Sequence, residues 1–180
     1  MPVREDLRWI GRPTPTLESP DKVRGRADFV TDLRLPRMLF GCVLRSPLPH
    51  ARIAGLDTAG AVRVRGVRAV LTGRDIPPVR WGSQVKDQTA LAMDRVRFIG
   101  EEVAVVAADD EDAAQEAIER IRVDYEPLPA VYTIDEALAQ GAPQLHEGGP
   151  GNVAARRALR RGDPDEGLRR SAAVYENVFE

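Results

Sequence analysis

The sequence predicts an α+β fold, a mixed sheet covered by a few helices, and three neighbouring segments carry that prediction. Residues 103–108 are six consecutive apolar residues, rich in valine, which is typical of a strand buried on both faces. Residues 111–121 then repeat alanine and isoleucine along one stripe of an α-helix. Residues 121–125 alternate apolar and polar side chains as a second strand. A strand, a helix and a strand in this order predict a helix that covers a sheet.

Length and composition restrict the class of protein. The chain has 180 residues, 43% of them hydrophobic, and a net charge of −2, as expected for one globular domain with a tail. This balance argues against a disordered chain or a nucleic-acid partner. No targeting signal is visible, and no apolar run approaches the roughly 18 residues of a membrane span. One cysteine, Cys42, allows no internal disulfide. We therefore expect a cytoplasmic protein.

The first forty residues predict an arm followed by two strands. Residues 1–19 are punctuated by Gly11, Pro13 and Pro15 and indicate an extended arm. Residues 22–32 indicate a short strand, and residues 38–44 form a nearly continuous apolar strand. Gly41 inside that strand indicates a bulge or the close approach of another backbone.

The middle of the chain predicts alternating strands and loops. A proline-containing loop, residues 45–50, leads into a strand over residues 51–56. Asp57 or Thr58 can cap a short helix to about Val64, and residues 67–72 return as a strand. Residues 73–89 show neither helix nor strand period and predict a long surface loop, where function tends to concentrate.

Cap residues predict the helices that follow the central unit. Asp109 or Asp110 is the expected N-cap of the helix after residue 108. Thr133 and Glu136 form a capping box for a helix to residue 140. Asp163, followed by proline, starts a helix to about residue 172, and residues 173–179 alternate as a strand.

Few residues suggest chemistry. The sequence has no phosphate loop, no GxGxxG and no HExxH motif. His50 and His146 lack a second ligand type at metal spacing, so we interpret both as loop histidines that hydrogen-bond the backbone. Glu101 or Glu102 could supply a general base, but neighbours on a strand point to opposite faces and cannot serve one site together.

The remaining candidates favour structural roles. Ser46 lacks the strand–turn–helix context of a nucleophile and is interpreted as a turn residue. Cys42 lies in an apolar strand and is interpreted as a small core residue. Four arginines at positions 156, 157, 160 and 161 could bind phosphate or a partner's acids. Acidic residues follow them at once, which favours a self-neutralised, solvated face. The residues themselves therefore predict no catalytic, cofactor-binding or metal-binding position.

Several motifs together resemble a known family. They are KVRGRA at 22–27, LRSP at 44–47 with HARI at 50–53, GV at 66–67 with GRD at 73–75, VRFIGE at 96–101, DYEPLPAV at 124–131, GAP at 141–143, LHE at 145–147 and GNV at 151–153. In this order they resemble the amino-terminal α/β-hammerhead domain of the large, molybdenum-binding subunit of the xanthine dehydrogenase, aldehyde oxidase and carbon monoxide dehydrogenase family. The resemblance covers residues 11–180.

The resemblance implies a part of a molybdenum hydroxylase, an oxidoreductase in which water supplies the inserted oxygen. It implies a molybdopterin cofactor, [2Fe-2S] clusters and FAD in the complete enzyme, and none of them bound by this chain alone. The implied partners are the molybdopterin-binding part of the large subunit and the iron–sulfur and FAD subunits. A hammerhead domain would pack on the cofactor domains and help to shape the substrate entrance.

The expected organisation is an arm (1–19), the hammerhead domain (20–147) and a linker, helix and strand start (148–180) that lead to the molybdopterin-binding domain. Two functions stay open at this stage. The chain is either a non-catalytic portion of the hydroxylase, inactive in isolation, or a free-standing binding module that has the fold and no redox activity.

Overall fold

A computed structural model describes residues 9–11, 13–83, 85–146 and 150–178. The chain divides into two compact units, one ending at Met38 and the other beginning at Leu39. The first contains helix α1 (Ser19–Val23) and one 3-10 turn (Val30–Asp32). The predicted strand over residues 22–32 is therefore wrong. Pro20 in the first turn favours a helix start, and Gly25, at a φ of 66°, follows the helix end.

The described part of the second unit has six strands, which form two antiparallel three-stranded sheets, ordered β1-β5-β3 and β4-β2-β6. The strands are β1 (Phe40–Arg45), β2 (Ala51–Asp57), β3 (Val67–Thr72), β4 (Arg95–Val96), β5 (Glu102–Ala108) and β6 (Arg122–Pro127). The predicted strands in residues 38–72 and 103–125 are confirmed, and β4 was not predicted. The strand–helix–strand unit passes from one sheet to the other, because β5 and β6 belong to different sheets.

The described residues of the second unit also form four short helices and a 3-10 turn. They are α2 (Ala59–Val62), α3 (Glu111–Glu119), α4 (Ile134–Leu138), α5 (Pro164–Arg169) and the turn Pro150–Asn152. The Asp110 carboxylate accepts a hydrogen bond from the Ala113 N–H at 2.8 Å, so the predicted N-cap of α3 is confirmed. The Thr133–Glu136 capping box and the Asp163 cap are confirmed as well. Helices α4 and α5 end earlier than predicted.

Helix α3 covers one face of the β1-β5-β3 sheet and forms the larger core with it. Val106, at the centre of that face, is fully buried and stands opposite Cys42 of β1 and Val70 of β3. Ala114 and Ala117 of α3 complete the packing. Small side chains on the helix allow its backbone to lie close to the sheet.

A second, smaller core joins the two sheets at one end of β5. Val103 is buried there with Ala51, Ile53, Ala92 and Val96. This contact explains why the Val103 end of β5 is buried although α3 lies on the opposite face of the strand.

The expectation that residues 103–108 are buried on both faces is wrong for Val105 and Ala107, which are only half-buried. They belong to the face of the sheet that α3 does not cover. Their cross-strand neighbours Val43 and Leu71 are 36% and 41% exposed. The apolar run of the sequence therefore marks a central strand, but the helices that the structure describes cover only one of its faces.

The end of the chain differs from its prediction. Residues 173–178 do not pair as a strand, and residue 179 lies outside the described part. Alternation alone makes no strand, because the backbone groups need a neighbouring strand to bond. Of the predicted break at residues 148–151, the structure describes only Pro150 and Gly151. Of the predicted arm, it describes only residues 9–11 and 13–19. Among the helices that the structure describes, none has the length and apolar character needed to cross a membrane.

Candidate functional site

Two cavities of the second unit share the side chains of Asp87 and His146. The larger measures about 480 Å³ and is also lined by Trp81, Phe98 and Glu101. The smaller measures about 290 Å³ and has a more apolar lining that includes Leu145 and Val153. The larger cavity lies within the size range of small-molecule sites.

The loop between β3 and β4 supplies one wall. Residues 73–83 and 85–89 form neither a helix nor a named strand, as predicted. Trp81 and Gln88 pair as an isolated antiparallel bridge, with N···O distances of 3.0 and 3.1 Å. The bridge fixes the loop, so that Trp81 and Asp87 reach the larger cavity.

A tight turn between β4 and β5 supplies the floor. The Arg97 backbone N–H donates to the Glu101 carboxylate, and the Glu101 N–H donates to the Phe98 carbonyl at 3.3 Å. Gly100 between them has a φ of 91°, where a side chain would be strained. The VRFIGE motif is therefore the sequence of a turn that folds its glutamate back onto its own backbone.

The same turn is locked to the RSP motif. The Gly100 N–H donates to the Ser46 carbonyl at 2.8 Å, and the Ser46 N–H donates to the Glu101 carbonyl at 2.9 Å. The Ser46 hydroxyl bonds the backbone of Leu48, so the interpretation of Ser46 as a turn residue is confirmed. Two of the family-like motifs thus hold each other in place.

The charges on the floor are screened from water. The side chains of Arg97 and Glu101 are 16% and 13% exposed, with 3.8 Å between Nη1 and Oε1. The Arg97 Nε also donates to the Leu145 carbonyl at 3.3 Å. Burial raises the pKa of Glu101, and the Arg97 N–H and the charges of Arg97 and His146 oppose that rise. Glu101 is thus a carboxyl group of increased basicity at the edge of a cavity.

Glu102 differs from its neighbour. It lies in β5 and forms an ion pair with Arg45 at 2.6 Å. Backbone hydrogen bonding and then the Arg45 hydrogen bond lower the pKa of Glu102. Both glutamates nevertheless line the larger cavity, so the expectation that they cannot serve one site is wrong. The reason is that Glu101 precedes the strand and does not follow its alternation.

Asp87 and His146 close the side that the two cavities share. The His146 Nδ1 lies 2.7 Å from the Asp87 Oδ2, but it is buried and makes no hydrogen bond with the described residues. The interpretation of His146 as a histidine that bonds the backbone is therefore wrong. The interpretation is confirmed for His50, whose Nδ1 lies 2.6 Å from the Pro129 carbonyl oxygen.

Asn152 holds the His146 segment against α4. Its side-chain amide donates to the carbonyls of Ala137 and Pro143 at 3.1 and 3.0 Å, and its side-chain oxygen accepts from the Leu145 N–H at 3.0 Å. Its φ of 59° is one that asparagine tolerates better than most residues. The GNV motif is therefore a clasp that fixes one wall of both cavities.

The structure agrees with the interpretations of Cys42 and of the arginine cluster. Cys42 packs against the larger core, and its thiol donates to the side-chain Oε1 of Gln115 at 3.4 Å. Arg160 pairs with Asp165 at 2.8 Å, in agreement with a self-neutralised face. Among the described residues, no three His, Cys, Asp or Glu side chains are grouped as metal ligands. The arrangement can bind and orient a small polar molecule between aromatic and charged walls.

Comparison with known proteins shows which family this sequence is similar to. Residues 24–129 match the family described as aldehyde oxidase and xanthine dehydrogenase, a/b hammerhead domain. A probable xanthine dehydrogenase subunit of Bacillus subtilis is 41% identical over 170 residues, which are 92% of this chain and 23% of that protein. The nicotinate dehydrogenase large molybdopterin subunit of Eubacterium barkeri is 37% identical over 97% of this chain and 41% of its own length.

Solved structures agree. Quinoline 2-oxidoreductase from Pseudomonas putida 86 superposes with a TM-score of 0.74 and 35% identity, over 87% of this chain and 21% of that chain. Carbon monoxide dehydrogenase from Oligotropha carboxidovorans gives a TM-score of 0.68 and 39% identity, over 74% of this chain and 17% of that chain. The chain thus spans between about a sixth and two fifths of the length of these relatives.

Proposed function

The chain belongs to the aldehyde oxidase and xanthine dehydrogenase a/b hammerhead family, and on that premise we propose that it works as the hammerhead portion of a molybdenum hydroxylase. One observation carries the proposal. The likeness covers 92% and 97% of this chain but only 23% and 41% of the two relatives. A segment of this kind supplies a wall of an enzyme and leaves the reaction to the rest of it.

The proposed reaction replaces a carbon–hydrogen bond of the substrate by a carbon–oxygen bond or, for carbon monoxide, which has no such bond, adds a second oxygen to the carbon to give carbon dioxide. The oxygen comes from water, and two protons and two electrons leave for each turnover. The electrons would pass through iron–sulfur and FAD subunits. The substrate class stays open among purines, aldehydes, N-heterocycles, aryl thioesters and carbon monoxide.

The described residues do not fit a molybdopterin. A pterin phosphate is held best by unoccupied backbone N–H groups at a helix start. Helix α3, with nine residues the longest described, has Asp110, Glu111 and Asp112 at its start; their carboxylates repel an anion, and that of Asp110 accepts the Ala113 N–H. We propose that this chain contributes no ligand to the cofactor.

The contribution we propose for the chain is the substrate entrance. The cavity bounded by Trp81, Phe98 and the Arg97–Glu101 pair combines aromatic surface with screened charge, which suits a flat, polar molecule. Truncation of Trp81, which is 46% exposed, should raise KM of the assembled enzyme more than it lowers kcat. A variant whose kcat falls by as large a factor as its KM rises would contradict a role in substrate entry.

We further propose residues 20–147 as the hammerhead domain, residues 1–19 as an arm, and residues 148–180 as the link to the molybdopterin-binding part. The family match over residues 24–129 supports the central assignment.

The test is purification from the native source together with any associated chains. We expect molybdenum and pterin in the associated chain and none in this one after separation. Hydroxylation in H₂¹⁸O should place the label in the product of the assembled enzyme. A tightly held metal in the isolated chain, or a native chain that purifies alone, would contradict the proposal.

A further inference from the structure

One face of the β1-β5-β3 sheet is not covered by the described helices, and its central part, next to the Arg45–Glu102 ion pair, carries no charged side chain. It consists of Gly41, Val43, Ala69, Leu71, Val105 and Ala107. Register aligns these residues in two rows, since Val43 and Leu71 both stand opposite Val105, and Gly41 and Ala69 both stand opposite Ala107. We call this surface the open face.

A face turned to water normally carries polar side chains at these positions. The other sheet follows that rule, because Arg52 of β2 and Glu126 of β6 stand opposite each other and form an ion pair. On the open face the corresponding cross-strand neighbours are valine and leucine. Single exposed apolar residues are common on protein surfaces, but aligned rows of them indicate a surface that another element covers.

Gly41 gives a second and independent indication. Its φ is not in the left-handed region, it lies in register, and the bulge of β1 falls between Leu44 and Arg45. A Cβ at this position would meet nothing closer than the Val106 carbonyl oxygen at 4.0 Å. Nothing in the described chain therefore requires a glycine in the middle of this strand, where glycine is unfavourable. Close approach of a backbone from outside the described chain would require it.

The size of the open face argues against a second copy as the occupant. Two rows of small and medium side chains offer on the order of a few hundred Å², below the roughly 800 Å² that each partner contributes to a stable interface. The same area is ample for one contact within a larger subunit. The relatives hold most of their length outside the segment that matches this chain.

We propose that the open face is the surface on which the remaining part of the large subunit packs, with a backbone segment of that part lying along the Gly41–Ala107–Ala69 row. This inference rests on the proposed function and adds the surface to it. The occupant presents an uncharged, apolar side, because the row offers no ionic partner. The Arg45–Glu102 pair borders the row at one end and limits the contact there.

The test uses Gly41→Val in the full chain. Its probe is the polypeptide of the same organism that aligns with the relatives beyond the matched segment, purified with its cofactors. We expect the dissociation constant, measured by sedimentation velocity, to rise at least tenfold. The urea midpoint of the variant alone should equal or exceed that of the unaltered chain, because valine favours a strand.

Ala54→Val is the matched control, since it also places a valine at an exposed strand position but β2 belongs to the other sheet. It should leave the dissociation constant unchanged. If Gly41→Val fails to fold, Leu71→Gln on the exposed rim of the face replaces it, with the same tenfold loss expected.

The two proposals fail in different ways. Absence of binding by the unaltered chain would contradict the proposed function. Binding that all of these variants leave unchanged would overturn only the open face as its surface. A dimer of this chain that Gly41→Val abolishes, without any change in binding to the probe, would overturn the proposal in favour of a second copy.

Discussion

The two faces of the β1-β5-β3 sheet are built from the same three strands and differ in what covers them. On one face Val106 is fully buried under α3, whose small side chains bring the helix close. On the other face Val105, the residue before Val106 in β5, is half-buried between its exposed cross-strand neighbours Val43 and Leu71. A strand can therefore be apolar on both sides for two reasons: one side builds the chain's own core, and the other is kept for contact with something else.

The largest expected effect is the difference in stability between a variant with an aspartate on the covered face and one with an aspartate on the open face. Val106→Asp places an unpaired carboxylate in a fully buried position, and we expect a loss of several kcal/mol and an unfolded chain at 25 °C. Val105→Asp on the open face should cost less and leave a folded chain, because water reaches that side chain. Circular dichroism and urea unfolding of both variants measure the difference.

Equal losses for the two variants would show that Val105 is as buried as Val106 and that the open face is covered within the chain itself. A Val106→Asp variant with an unchanged urea midpoint would show instead that α3 does not cover this sheet.

Local patterns allowed much of the fold to be predicted, because the interactions behind them are local. The Thr133–Glu136 box and the Asp110 cap each join residues three apart in sequence. Strand β6 follows from its own alternation of apolar and polar residues. In contrast, the strand expected after residue 172 needed a partner that alternation cannot supply, and the expected strand over residues 22–32 competed with the helix-starting Pro20.

The sequence predicted where the candidate site lies but not which of its residues contact each other. The loop after β3 was expected to hold function, and it lines both cavities. The contact of Asp87 with His146 joins residues far apart in sequence, and no spacing rule connects them. The clasp made by Asn152 was also missed. The family-like GNV motif pointed to that position, but only the fold shows which carbonyls its amide binds.

Glu101 tests the same contrast between covered and water-exposed groups, because the fold partly excludes water from its carboxyl group. Its pKa is raised, so the unfolded chain releases this proton at a lower pH than the folded chain does. The contribution of Glu101 to stability is therefore complete below its unfolded pKa and is lost as pH rises through its folded pKa. Glu101→Gln keeps an acceptor for the Arg97 N–H and removes the titration.

We expect the difference in unfolding free energy between Glu101→Gln and the unaltered chain to move in favour of the variant as pH rises across that window. Urea unfolding at a series of pH values measures it. Glu102→Gln is the matched control with the opposite sign, because the pKa of Glu102 is lowered and its contribution is lost as pH falls. A pH-independent difference for Glu101→Gln would show that its carboxyl is as solvated as a free one.

The smallest effect concerns two glycines that differ in what surrounds them. A Cβ on Gly41 has open space around it, whereas a Cβ on buried Gly73 would lie 2.3 Å from the Ala92 carbonyl oxygen. Gly41→Ala should therefore stabilise the isolated chain by about 0.5 kcal/mol, through the lower entropy of its unfolded state. Gly73→Ala should destabilise it by roughly 1–3 kcal/mol, because the backbone around Ala92 has to move. Thermal unfolding of both variants gives the two signs. A loss of stability for Gly41→Ala would mean that the described chain itself needs the glycine, and the argument for a backbone arriving from outside would fall with it.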